Sequence, residues 1–267
     1  MHLALLHDGR PARLRVEGLP TAPVALFLHP FPLHADCWDE TLTACAAAGL
    51  CAAALDAPGF GGTPPLGQPL TMDILADLGA AALDALSVRR AAIVGCSMGG
   101  YAAMAFARKF PERMAAAALI STKATADTDE AKQNRERQAK AALEKGPQAV
   151  LAEVVPKLLA GDVPAPVRRR VDELASSATA QGIADAVRGM ALRPDSTPDL
   201  PRWKARTLVI AGDRDQLMPL AEMEKIASLV PGARLERISG AGHLPFIENS
   251  RAVAPLIVAH LVATRAR

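Results

Sequence analysis

Aromatic side chains are scarce in this chain of 267 residues: six Phe, two Trp and one Tyr. Half of the residues are nevertheless hydrophobic, so a large core is possible and it must be built from small aliphatics. An excess of one charge is also missing. Lys and Arg number 30 against 28 Asp and Glu, interspersed, for a formal charge of +2. That balance leaves no footprint for nucleic acid and no hint of a charged substrate. The one short basic run, Arg168, Arg169 and Arg170, reads as a solvated helix face. No apolar run reaches the ~18 residues that a membrane helix requires. The opening Met1-His2-Leu3-Ala4-Leu5-Leu6 is too short, and lacks the basic start, for a secretory signal. A cytoplasmic protein with no membrane partner is expected. Cysteine is sparse and shows no metal-ligand spacing: Cys37, Cys45, Cys51 and Cys96 contain no Cys-x-x-Cys. They read as reduced, buried thiols, with no metal and no organic cofactor expected.

Phosphate-cradling glycine loops are missing too. No Gly-x-x-x-x-Gly-Lys-Ser/Thr occurs. The candidates for Gly-x-Gly-x-x-Gly, at Gly59 and Gly240, have Pro64 and Pro245 in the third glycine position.

The stretch that is present, and that organises the rest, is residues 93 to 101, Ile-Val-Gly-Cys-Ser-Met-Gly-Gly-Tyr. Ala91, Ala92, Ile93 and Val94 read as a buried strand. Residues 101 to 108 read as a helix. A strand entering a helix through Gly-x-Ser-x-Gly is the nucleophile-elbow pattern. The turn must be sharp, and glycines two residues before and after the serine remove Cβ atoms that would collide with strand and helix. Ser97 then stands at the tip, at the positive end of the helix. Cys96, next to it, is expected to pack beneath the sheet rather than to act.

The remaining chain supports this reading. Residues 3 to 17 suggest a hairpin about a turn at Gly9, Arg10 and Pro11. Apolar strands follow at 23–28, 50–55, 91–94 and 114–120, separated by helices at 39–49, 71–86 with Thr71 as N-cap, and 101–108. Such alternation means right-handed crossovers and a parallel sheet covered on both faces. His29, Asp56, Ser97 and Ser121 each follow a strand and should gather at one sheet edge. From 122 to 200 the buried strands vanish. Helices are expected at 128–145, 148–159, 165–177 and 183–192, forming an insertion over that edge. The alternation resumes with a strand at 205–211, a helix at 220–229, an edge strand at 233–238 and a closing helix at 252–263. The expected organisation is a core of residues 1–121 and 201–267 with a helical cap of 122–200.

Serine hydrolysis needs a nucleophile, a base and a carboxylate that orients the base. In elbow hydrolases their order is Ser, acid, His. The chain offers Ser97, then Asp213 or Asp215, then His243, each on a loop after an apolar strand. His2, His7 and His260 lie near the termini and read as solvent-facing. The backbone N–H of Met98, just after the serine, would be one oxyanion donor.

Together, residues 27–38, 56–61, 95–101, 212–219 and 240–245 resemble the α/β-hydrolase superfamily, in its esterase/lactonase-like branch. The resemblance spans nearly the whole chain. It implies about eight mostly parallel strands, a cap between the sixth and seventh, and acyl-enzyme chemistry. In the family's Gly-x-x-Asp motif the acid is the third residue after Gly212, which selects Asp215. The second oxyanion donor aligns with Phe31; related enzymes carry His-Gly where this chain has His29-Pro30. His29 is expected to brace that loop, Asp56 to be structural, and His34 to line the pocket or be exposed. The implied reaction is hydrolysis of a carboxylic ester or related small acyl compound. Alternatives are lactone or enol-lactone hydrolysis, carbon–carbon bond hydrolysis or cofactor-free perhydrolysis with the same triad. A non-catalytic ligand-binding module on this fold is a further alternative. Oligomeric state is not legible.

Overall fold

The computed structural model describes residues 2–7 and 10–264. Strands β1 (His2–His7) and β2 (Arg10–Glu17) form an antiparallel hairpin. Arg10 and Pro11 belong to the second strand rather than to the turn, as Arg10 pairs with His7 and Pro11 with Leu6. Gly9, the other residue assigned to that turn, lies outside the described residues. Then come β3 (Val24–Leu28), α1 (Asp39–Ala47), β4 (Cys51–Leu55), α2 (Met72–Ala85), β5 (Ala91–Cys96), α3 (Met98–Lys109) and β6 (Met114–Ile120). Four helices follow: α4 (Asp129–Lys145), α5 (Gln148–Val154), α6 (Ala165–Ala175) and α7 (Ala180–Ala191). The chain closes with β7 (Arg206–Gly212), α8 (Leu220–Leu229), β8 (Arg234–Ile238), α9 (Pro245–Glu248) and α10 (Ser250–Thr264).

The eight strands form one sheet in the order β1-β2-β4-β3-β5-β6-β7-β8. From β4 to β8 every neighbour is parallel, and β2 joins β4 antiparallel. The central strands β3, β4 and β5 are buried along their whole length, as continuous small apolar runs require when helices lie on both sides. α2 and α3 pack together on the sheet, and α1 and α10 form a second pair. Edge strand β8 buries only Ile238 and leaves its other residues partly or fully exposed. Thr71 and Thr128 cap α2 and α4 through their side-chain oxygens, accepting from the Ile74 and Ala131 amides.

Several sequence expectations need correction. The helix expected over 148–159 ends at Val154 and tightens into a 3-10 turn, Val155–Leu158, where Pro156 has no amide to donate. α7 begins at Ala180, capped by Thr179, three residues before the expected start. α10 likewise begins at Ser250 and accommodates Pro255. His260 is buried, not solvent-facing: α10 lies against β6, and His260 Nε2 sits 3.0 Å from the Ala117 carbonyl. Arg170 does not simply face water either. It reaches Asp39 at 2.6 Å and the Asp36 carbonyl at 3.1 Å, tying α6 to the start of α1. Among the described residues, no helix is long and apolar enough to cross a membrane.

Candidate active site

Ser97 occupies the single residue between β5 and α3. Its φ of 52° and ψ of −112° are strained for a residue with a side chain. The glycines explain how the turn closes. A Cβ on Gly95 would strike the Gly99 carbonyl, and a Cβ on Gly99 would strike the Leu28 carbonyl at the end of β3. The surroundings hold the strain in place: the Ser97 amide donates to Ile120 at 2.9 Å, and Thr122 Oγ1 donates to the Ser97 carbonyl at 2.9 Å. The Ser97 hydroxyl makes no capping bond to α3. It is partly exposed between the buried Cys96 and Met98.

His243 and Asp215 lie on the loops after β8 and β7. Their side chains are buried, and His243 Nδ1 lies 2.8 Å from Asp215 Oδ2. The other Asp215 oxygen accepts the amides of Leu217 at 2.8 Å and Met218 at 2.9 Å, which fixes the carboxylate plane. Asp213 is occupied elsewhere, accepting the Gly240 amide at 2.8 Å. Ser97 and His243 line the same cavity, of about 220 Å³, together with Phe31, Tyr101 and Met218. Residues of the 122–200 segment, including Arg135, Leu158 and Met190, form its other wall. Two larger grooves, of about 340 and 410 Å³, lie elsewhere; neither is lined by Ser97, Asp215 or His243.

The Met98 N–H is the first of α3, one of the donors that a helix start leaves without an intrahelical partner. The Phe31 N–H donates to no acceptor among the described residues. Phe31 sits on a braced loop. His29 accepts the Ala57 amide at Nε2 (2.9 Å), so the ring proton is on Nδ1, which donates to the Pro30 carbonyl at 3.0 Å. Burial pushes the His29 pKa down to about 4, so the ring is a neutral brace. Phe60 packs edge-on against both His29 and Phe31. Asp56, fully buried, accepts the Ala35 amide at 2.7 Å, the Gly62 amide at 2.9 Å and Arg13 Nη1 at 3.1 Å. Those bonds make it structural. His34 does not line the cavity; it caps the 3-10 turn Ala35–Trp38 through the Asp36 amide. Ser121 is buried with φ 45°, and its hydroxyl has no hydrogen-bond partner among the described residues. Cys96 is buried with its thiol pKa pushed well up by burial; its sulfur lies 3.8 Å from the His243 carbonyl.

Sequence reading missed Glu248. Its carboxylate accepts the amides of Gly242 (3.0 Å) and Leu244 (3.1 Å), on either side of His243, and of Ala160 (2.8 Å) from the helical segment. No familiar motif announces this: two of the three bonds reach back from the last residue of a four-residue helix to the loop before it, and the third crosses 88 residues. The wall residues of α4 were also missed, although their spacing at 131, 134, 135 and 138 marks one helix face. Among the described residues, no three His, Cys, Asp or Glu side chains are grouped to hold a metal ion.

A mostly parallel sheet thus carries a strained serine at a strand-to-helix turn, in one cavity with the histidine of a buried His–Asp pair. The chain belongs to the alpha/beta hydrolase fold family, whose model matches residues 23–250. A poly(3-hydroxyalkanoate) depolymerase of Ectopseudomonas oleovorans is 31% identical over 80% of this chain and 76% of its own length. A pimeloyl-[acyl-carrier protein] methyl ester esterase of Chromobacterium violaceum is 28% identical, over 93% of this chain and 98% of its own. Polyketide synthase ThaQ of Burkholderia thailandensis shares 36% identity over 40% of this chain, a match that spans only 5% of that protein. Among solved structures, a thermophilic esterase from Thermogutta terrifontis, with malate bound, is 32% identical with a TM-score of 0.92 over 99% of both chains.

Proposed function

We propose that this chain hydrolyses a carboxylic ester of a small acyl group through an acyl-enzyme on Ser97. Hydrolysis of ester bonds as such rests on the family together with relatives named as esterases. The acyl-enzyme mechanism rests on one observation, the buried 2.8 Å pair of His243 and Asp215 sharing a cavity with a serine at positive φ.

In this reading Asp215 holds the Nδ1 proton of His243, leaving Nε2 free to accept the Ser97 proton as Oγ attacks the carbonyl carbon. The oxyanion so formed takes hydrogen bonds from the N–H groups of Met98 and Phe31. Collapse expels the alcohol, which leaves with the proton from His243. Water then repeats the cycle on the acyl-enzyme, with His243 again as base. Residues 122–200 act as a helical cap over a core of 1–121 and 201–267. A cavity below the ~300 Å³ at which ligand pockets usually begin favours short acyl groups.

The test is hydrolysis of p-nitrophenyl esters from C2 to C12 beside a set of lactones, wild type against Ser97→Ala, with a fluorophosphonate to label the nucleophile. Ser97-dependent turnover of short esters is expected. Turnover of lactones alone would move the assignment to a lactonase, and absence of both turnover and labelling would overturn it.

A further inference from the structure

We propose that the cavity beside Ser97 selects acyl groups that end in a carboxylate, and that Arg135 is the residue that recognises it. The proposal rests on the ester reading above and names its substrate class.

α4 turns one face to the cavity, carrying Ala131, Asn134, Arg135 and Gln138. Arg135 is the cationic member of this wall, and its side chain is only 19% exposed. Its Nε is hydrogen-bonded to Asp127. One terminal nitrogen has only the Met190 sulfur, 3.6 Å away, a weak acceptor. The other has no partner among the described residues. The guanidinium is thus held by one edge, while donors on its fork remain unused at the cavity wall. That is the arrangement a planar anion such as a carboxylate completes.

The charge balance points the same way. Asp127, nearly buried, faces three cations: Arg193 at 2.6 Å, Lys123 at 3.6 Å and Arg135. Arg193 is itself fixed by the carbonyls of Met190 (2.8 Å) and Thr125 (3.1 Å) and stacks 4.1 Å over the Tyr101 ring. It serves Asp127 without help from Arg135. The other carboxylate acting on Tyr101 is Glu222. Glu136, the next acid on α4, is already paired with Arg188 at 2.8 Å. Three cations therefore share the Asp127 carboxylate, and even with Glu222 counted the positive charges outnumber the negative; Arg135 brings that surplus to the cavity wall. The remaining wall is apolar, with Val154, Leu158, Met190 and Met218. An acyl chain with an apolar middle and an anionic end matches both parts; a plain alkyl chain would leave the Arg135 donors without an acceptor.

The experiment compares methyl monoesters of C4 to C8 diacids with methyl esters of monoacids of equal length, using wild type, Arg135→Gln and Arg135→Lys. Wild type should prefer the anionic ester by roughly 10- to 100-fold in kcat/KM at the best length, the value of a charge-assisted hydrogen bond. In Arg135→Gln the ratio should fall to near one, with the loss carried by KM for the anionic ester. Arg135→Lys should keep part of the preference. Parity in wild type, or a ratio unchanged in Arg135→Gln, would overturn the proposal. If no methyl ester is turned over, and the p-nitrophenyl esters and fluorophosphonate are silent as well, the ester reading fails while anion recognition remains measurable. Calorimetry of the same monoesters with Ser97→Ala then decides. Tighter binding of the anionic member, lost in Ser97→Ala/Arg135→Gln, supports Arg135; equal binding overturns it.

Discussion

The carboxylate of Glu248 lies 3.0 Å from the backbone nitrogen of Gly242, the residue that immediately precedes His243. With its bonds to Leu244 and Ala160, Glu248 pins the His243 loop and joins it to the helical segment. Glu248→Gln replaces a double acceptor by a group whose NH2 would oppose those amides. Activity should fall about tenfold, in kcat rather than KM, with a stability loss of about 1–2 kcal/mol. Steady-state kinetics beside a thermal melt check this. A destabilised variant with unchanged kcat would leave Glu248 as a staple with no part in positioning His243.

The two acids of the loop after β7 make opposite predictions. Asp215→Asn should lower kcat by about 10⁴-fold, since the amide presents the wrong partner to His243 Nδ1. Asp213→Asn, which touches only the Gly240 amide, should change kcat less than about threefold. Equal losses in the two variants would mean that His243 is not oriented by Asp215.

His29 ties stability to pH. Burial holds its folded pKa near about 4, against about 6.5 in an unfolded chain. Between those values the unfolded chain binds more protons than the folded one. Stability is therefore complete above pH ~6.5 and declines as pH falls through the window toward 4, by about 3 kcal/mol from this group. Burial lowers the pKa values of His34 and His260 as well, in the same direction. Melting temperatures from pH 7 to pH 4 should show the decline, and His29→Gln should show a shallower one. Identical slopes would remove His29 as a cause.

All four cysteines are buried, and burial raises the thiol pKa values of Cys37 and Cys96 well above the ordinary value. Iodoacetamide at neutral pH should leave activity intact under native conditions, while a fluorophosphonate abolishes it. Rapid inactivation with carbamidomethylated Cys96 in the peptide map would reassign the nucleophile.

The sequence by itself determined the alternation of strands and helices. Short apolar runs alternating with amphipathic helices fit strands buried on both faces of a parallel sheet, and glycine, proline and threonine mark where the runs and helices stop. It also determined the elbow, because Gly95 and Gly99 are demanded by backbone contacts within a few residues of Ser97 and with the end of β3. Loop position after a strand was enough to bring Ser97, Asp215 and His243 forward as candidates. Tertiary structure alone decided what depends on contacts between distant segments. Asp213 and Asp215 share one loop, and the Gly-x-x-Asp motif already pointed to Asp215; the fold supplies the contacts, Asp215 meeting His243 while Asp213 accepts the Gly240 amide. His260 looked terminal, yet α10 carries it against β6; its spacing with Val253, Ile257 and Leu261 held that signal in periodic form. The Glu248 clamp and the half-used fork of Arg135 arise from segments folded onto one another, so neither is written in any short run of residues. An overall charge near zero gave no sign of a cationic wall, because net charge sums over the surface while recognition depends on which few charges share one cavity.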